Sequence, residues 1–164
     1  MKRIIVHWTA GSYKASSLDR RHYHFLFEGN GNIVKGHYPI SYNKYPINTK
    51  KGYAAHTWRM NTNSIGLSMC CMLGAQWPDH VGSQPMTRMQ FEAMAKFTAK
   101  LCKEYNIPLT NKTVLSHAEV QPNLGKKQRG KWDFTIMPFK PELKGYKQCG
   151  DYFRERVKYY LDHE

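Results

Sequence analysis

The sequence is short of acid, of patterned cysteine and of long apolar runs. Only 12 Asp and Glu stand against 25 Lys and Arg, a formal net charge of +13. Such a field draws a protein toward polyanions, so nucleic acid, anionic membrane and acidic wall polymers all qualify as partners, while solubility explains the same charge equally well. The basic residues are scattered and form no long block. Trp8, Trp58, Trp77 and Trp132 are not interleaved regularly with them, so specific nucleic-acid binding by stacking ranks low. None of the four cysteines stands in a CxxC spacing, and Cys70, Cys71, Cys102 and Cys149 read as reduced, mostly buried thiols. Adjacent strand residues point to opposite faces, so Cys70 and Cys71 cannot line one pocket together. Met1-Lys2-Arg3 is followed by only three aliphatic residues before His7, too short for a signal peptide or a membrane span. Repeats, low complexity and linkers are missing too, and 164 residues fit one domain, 1–164.

What is present alternates between strand and helix patterns. Arg3 to His7 reads as a buried strand, and Tyr23 to Phe27 with Asn32 to Lys35 as a hairpin around Glu28-Gly29-Asn30-Gly31. His37 to Gly52, rich in Tyr, Asn, Lys and Pro without a period, reads as an irregular surface excursion of the kind that forms substrate grooves. Ser64 to Leu73 looks like a central strand and Thr113 to Ser116 like another. Thr87-Arg88-Met89-Gln90 has capping-box form, with Phe91, Met94, Ala95, Thr98, Leu101, Cys102 and Tyr105 on one helical face up to Pro108. A short helix after Ser16 and an amphipathic C-terminal helix carrying Phe153, Val157, Tyr160 and Leu161 complete the pattern. The sum is an α/β fold, a central mixed β-sheet flanked by helices.

Two apolar runs end in histidine, Ile4-Ile5-Val6-His7 and Val114-Leu115-Ser116-His117, and a carboxylate follows at Asp133. Imidazole and carboxylate are the donors of an open zinc site, which keeps three protein ligands and one exchangeable position. There is no HExxH to put two ligands on one helix, so such a site must be assembled from distant segments. A histidine at a strand end is more often structural, and spacing alone does not decide between the two.

His7-Trp8-Thr9-Ala10-Gly11 resembles the HHTAG-type start of type 2 zinc-dependent N-acetylmuramoyl-L-alanine amidases, the superfamily of phage endolysins and peptidoglycan recognition proteins. Further segments are similar to that family in the same order. They are Tyr23-His24-Phe25-Leu26-Phe27 with Gly31-Asn32-Ile33-Val34, then Ala55-His56-Thr57, Asn61 and Ser64-Ile65-Gly66-Leu67-Ser68. Ser116-His117-Ala118-Glu119-Val120-Gln121-Pro122 and Lys131-Trp132-Asp133 follow, so the resemblance spans residues 3 to 139.

The resemblance implies a peptidoglycan-recognition-protein-like fold and zinc held by His7, His117 and Asp133, with Tyr23 and Lys131 as catalytic groups. It implies hydrolysis of the amide between N-acetylmuramic acid and L-alanine, without a covalent enzyme intermediate. On their own, Tyr23 reads rather as a cross-strand packing aromatic and Lys131 as a solvated surface cation. Glu119 is a candidate to orient a ligand, and His56 is either a groove residue or a buried structural imidazole. Three features depart from the family: the 16 residues from His117 to Asp133, which imply a basic insertion after Pro122; Phe134-Thr135 after Asp133; and Ser68 where some relatives carry a catalytic glutamate. The expected setting is a monomeric phage endolysin, made in the host cytoplasm without a signal peptide and acting on the wall after release. Contact with the anionic envelope through the basic surface or the C-terminal helix is an added expectation. The alternative is a noncatalytic peptidoglycan-recognition module.

Overall fold

The computed structural model describes residues 1–164. Its sheet has the strand order β3-β2-β4-β1-β5, formed by Arg3–Trp8 (β1), Phe25–Phe27 (β2), Ile33–Lys35 (β3), Ser64–Met69 (β4) and Val114–Ser116 (β5). β1 lies parallel to β4 and β5, β2 is parallel to β4, and only β3 runs antiparallel, to β2. No helix is long and apolar enough to cross a membrane.

The pleat divides the sequence between two faces, because successive side chains point to opposite sides. Ile4, Val6 and Trp8 of β1, Ile65, Leu67 and Met69 of β4, Phe27 of β2 and Val114 of β5 all enter one large apolar core. Two long helices cover that face, Arg88–Tyr105 (α2) and Gly145–His163 (α4). They contribute Phe91, Met94, Leu101, Phe153 and Val157, each stabilising the fold by on the order of 1.5–3 kcal/mol through the apolar surface it removes from water. The residues between these, Ile5, His7, Gly66 and Ser68, face the other way. There only a small cluster forms, Ile5 with Met60, Leu115 and Val120.

Local chemistry fixes the helices. Thr87 and Gln90 form a reciprocal capping box at the start of α2. The buried Gln90 amide also donates to the carbonyls of Phe27 (2.9 Å) and Cys70 (3.1 Å), fastening α2 to the ends of β2 and β4. The sequence reading stops this helix at Pro108. The chain leaves it earlier, at Asn106 in the left-handed conformation, with its N–H on the Cys102 carbonyl. Ser16 caps the short helix Ser17–His22 (α1), and Tyr23 closes that helix, so β2 begins only at Phe25. The segment after β5 forms a further helix, His117–Leu124 (α3), which runs through Pro122. All four cysteines are buried and free.

Candidate metal centre

Ligands of parallel sheets gather beyond the carboxyl ends of the strands, and the three candidate donors do so here. His7 is the penultimate residue of β1, His117 follows the last residue of β5, and Asp133 lies on the returning loop. The Ala118 amide donates to the Asp133 carbonyl at 2.7 Å, which ties the loop to the first turn of α3. His7 Nδ1 stands 3.1 Å from His117 Nδ1 and 3.2 Å from Asp133 Oδ2, and the remaining edge is 3.6 Å. A tetrahedral zinc with bonds of ~2.0–2.1 Å needs donor separations of about 3.3–3.4 Å. The residues present therefore fit a small divalent cation.

Proton placement supports the fit. His7 Nε2 lies 3.3 Å from the Thr57 hydroxyl, which lies 2.8 Å from His56 Nδ1, while His56 Nε2 is 3.4 Å from the Ser64 carbonyl. The arrangement that satisfies every atom has His7 Nε2–H donating to Thr57, Thr57 donating to His56 Nδ1, and His56 Nε2–H donating to Ser64. His117 Nε2 is 2.7 Å from Gln128 Oε1, an acceptor, so this nitrogen too carries a hydrogen. Both Nδ1 atoms are then left as lone pairs facing each other and a carboxylate. Three electron-pair donors at this spacing repel unless a cation lies between them.

The electrostatics agree. Burial alone would raise the Asp133 carboxyl, but with a proton in place of the cation the imidazoles of His117 and His7 turn Nδ1–H toward it and hold it well below the ordinary carboxylate range, so proton and metal compete for the same lone pairs. Burial lowers His7 to about 4, against the pull of Asp133. His117 is raised, because the Asp133 charge outweighs its burial. A neutral His7 beside an ionised carboxylate is the ligand form that metals require.

Supporting residues include family-like positions, His56, Thr57, Asn61, Gly66 and Glu119, and others without a sequence signal, Asn43 and Arg154. The Asn61 side chain accepts from the amides of His56 and Thr57, both at 2.9 Å, and Asn43 clamps the same excursion through the Ala54 and Asn61 carbonyls. A Cβ at Gly66 would overlap the His56 ring, so only glycine at this point of β4 lets the imidazole settle on the sheet. Of the two readings for His56, the structure has it buried, hydrogen-bonded behind His7 and at the edge of the cleft. Glu119 touches no candidate ligand. It accepts from the Ser116 amide at 3.0 Å and is held by the Arg154 guanidinium at 2.8 and 3.0 Å, so it shapes the turn that presents His117. A Cβ at Gly150 would strike its carboxylate, which is why α4 packs so near. That helix buries Cys149, Gly150, Phe153 and Val157.

The donors open into a cleft of about 780 Å³ lined by Tyr23, His56, Trp58, Lys131 and Trp132 among others. The Tyr23 ring lies 5.2 Å from that of His7, and burial, aided by the Asp133 charge, pushes its phenol above the usual tyrosine range. The neighbouring Ser68 hydroxyl is buried without a hydrogen-bond partner. Lys131 is exposed in the cleft wall with no ion-pair partner, and its charge acts on both His7 and His117. The basic insertion supplies the residue that sequence reasoning missed. Gln128 is buried; besides accepting from His117 it donates to the Trp58 carbonyl at 2.9 Å, linking the two rims of the cleft. Within a run of lysines it carries no sequence signal.

Fold and site thus define a mixed-sheet protein with an open three-donor centre at its strand ends. The chain belongs to the N-acetylmuramoyl-L-alanine amidase family, whose model matches residues 1–133. Among solved structures it is similar to the Staphylococcus aureus hydrolase AmiA in complex with its ligand. The identity is 13%, 99% of this chain and 74% of that one are covered, and the TM-score is 0.59. It is also similar to the amidase LysC from Clostridium intestinale, at 16% identity, 87% and 84% coverage and a TM-score of 0.50. At these identities the likeness is one of fold. No curated protein matches the chain.

Proposed function

We propose that this protein is a zinc-dependent amidase that hydrolyses the bond joining the lactyl group of N-acetylmuramic acid to L-alanine in peptidoglycan. The observation that carries the proposal is the triangle of His7 Nδ1, His117 Nδ1 and Asp133 Oδ2 with edges of 3.1, 3.2 and 3.6 Å, in a chain of this family. When bound, zinc supplies a Lewis acid and a water acidic enough to react near neutral pH.

The chain's own residues account for the remaining steps. Tyr23, kept protonated by its burial, donates a hydrogen bond toward the substrate oxygen or a proton to the departing amine. Lys131, exposed in the cleft wall without an ion-pair partner, is the side chain available to stabilise negative charge developing on the carbonyl oxygen. His56, Thr57 and Gln128 keep hydrogens on the far nitrogens of His7 and His117, so that the donor atoms keep facing the centre. Ser68 offers no carboxylate to act as base, which leaves the proton transfers to Tyr23 and Lys131. The intact donor set favours catalysis over a noncatalytic recognition role.

The setting we favour is host lysis by a phage endolysin, made in the cytoplasm and meeting the wall after release, with the charge of +13 drawing it to the anionic envelope. Elemental analysis of the purified protein, followed by assay of new L-alanine amino termini from purified wall, tests the chemistry. We expect about one zinc per chain, turnover lost on chelation and restored by zinc, and neither in Asp133→Ala. Undiminished wall hydrolysis by fully metal-free protein would overturn the mechanism.

A further inference from the structure

After β4 the chain makes a tight hairpin in which Gln76 and His80 exchange backbone hydrogen bonds of 2.9 and 3.0 Å. Its tip carries Trp77, 67% exposed. One exposed indole is ordinary on a protein surface, and it is the surroundings of Trp77 that single it out. The Trp77 ring meets Trp132 edge-on at 5.9 Å, and Trp132 meets Trp8 in the same manner at 4.9 Å. Trp8 and Trp132 both line the cleft, and Trp132 immediately precedes Asp133, so the aromatic row starts beside the metal donors and runs outward.

Beyond Trp77 the row opens onto a second cavity of about 390 Å³, walled by Val81, Ile136, Pro138 and Leu143. Thr135 lines it as well, 8% exposed, and its buried hydroxyl has no hydrogen-bond partner. A buried hydroxyl left unsatisfied costs about 1–3 kcal/mol, which a ligand amide or hydroxyl would relieve.

We propose that Trp77 and this cavity form an outlying glycan subsite, which holds an N-acetylated sugar next to the muramic acid residue in the cleft. The inference rests on the amidase reading and extends its substrate from a single muropeptide to a stretch of wall strand. A pyranose face presents C–H groups that pack flat on an indole while its hydroxyls stay in water. The acetamido methyl suits the apolar cavity, and the acetamido amide suits Thr135. The stem peptide, with its free carboxylates, matches a different wall. Arg59 and Arg129 lie 5.7 and 5.8 Å from the Trp58 ring, whereas no cation stacks on Trp77 or Trp132.

The zinc-loaded enzyme and its Trp77→Ala and Trp77→Phe variants are compared on two substrates, a single N-acetylmuramoyl peptide and glycan chains of several disaccharides bearing the same peptide. We expect Trp77→Ala to raise KM for the chains about tenfold, the worth of one aromatic contact, with the single-sugar substrate unaffected and Trp77→Phe close to wild type. Quenching of tryptophan fluorescence by a β-1,4-linked N-acetylglucosamine tetramer is expected in wild type and lost in Trp77→Ala. Equal effects on both substrates, or an unchanged titration, would refute the subsite. If wild type frees no L-alanine amino termini from either substrate, the amidase reading fails instead, and the tetramer titration still decides the subsite.

Discussion

The two faces of the sheet are built from neighbouring residues and do opposite things. On one face, Val6, Leu67 and Met69 join an apolar core sealed by α2 and α4. On the other, one residue along each strand, His7 and Ser68 are paired in register across β1 and β4 and place buried polar side chains behind the cleft. The apolar face needs only volume and shape. The polar face needs its protons placed, because a polar group left unsatisfied there, as the Ser68 hydroxyl is, costs about 1–3 kcal/mol, against about 2–5 kcal/mol for a truncated core side chain on the other side. Stability and chemistry are thus separated by the pleat alone, and substitutions on the two faces should fail in different ways.

The largest separable effect is expected on the apolar face. Met94 is fully buried in α2, and Met94→Ala should cost about 2–5 kcal/mol of unfolding free energy. Denaturant unfolding measures that loss. Zinc affinity measured well below the unfolding midpoint should stay at the wild-type value. A fall in affinity comparable to that of a ligand variant would break the comparison, since it would make the core part of the site.

The two faces also differed in how far the sequence disclosed them. The helical face of α2 was legible because Phe91, Met94, Ala95 and Leu101 repeat with the period of a helix, and the strands because apolar runs end at turns. The histidine pair and Asp133 were legible through order along the chain and family resemblance. What supports them was not. Gln128 lies in a basic stretch with no periodicity, and α3 contains Pro122, which argues against a helix until the Glu119 cap and the Arg154 pair are seen to hold it. Polar networks are closed by long-range geometry, and no local pattern encodes which side chain will reach which atom.

Acid should sharpen the contrast. His24 Nδ1 accepts from the Gly66 amide at 3.0 Å while its Nε2 lies 3.0 Å from Asn43 Oδ1, so the neutral ring is satisfied and a second proton would displace the Gly66 bond. Burial lowers this imidazole to about 4, with Asn43 only partly opposing. The unfolded chain takes up a proton near pH 6.5 and the folded one does not until about 4. Stability from this group is therefore whole above pH 6.5 and lost as pH falls through that window, up to about 3 kcal/mol. Thermal unfolding of metal-free protein from pH 7 to 4.5 should show a shallower decline in His24→Gln than in wild type. Parallel declines would assign the acid sensitivity to other groups.

The finest distinction is within the polar face, between His7, backed by Thr57 and His56, and His117, backed by Gln128 alone. With one partner, His117 has no substitute when that partner goes. Gln128→Ala should weaken zinc binding about 10–100-fold in competition with a chelator, with thermal stability of the metal-free protein little changed. Because the imidazole needs only an acceptor, Gln128→Glu should keep most of the affinity although it gives up the donor to the Trp58 carbonyl. If Glu and Ala prove equally weak, it is the bridge across the cleft that holds the insertion in place, and not the bond to His117, that sets the metal affinity.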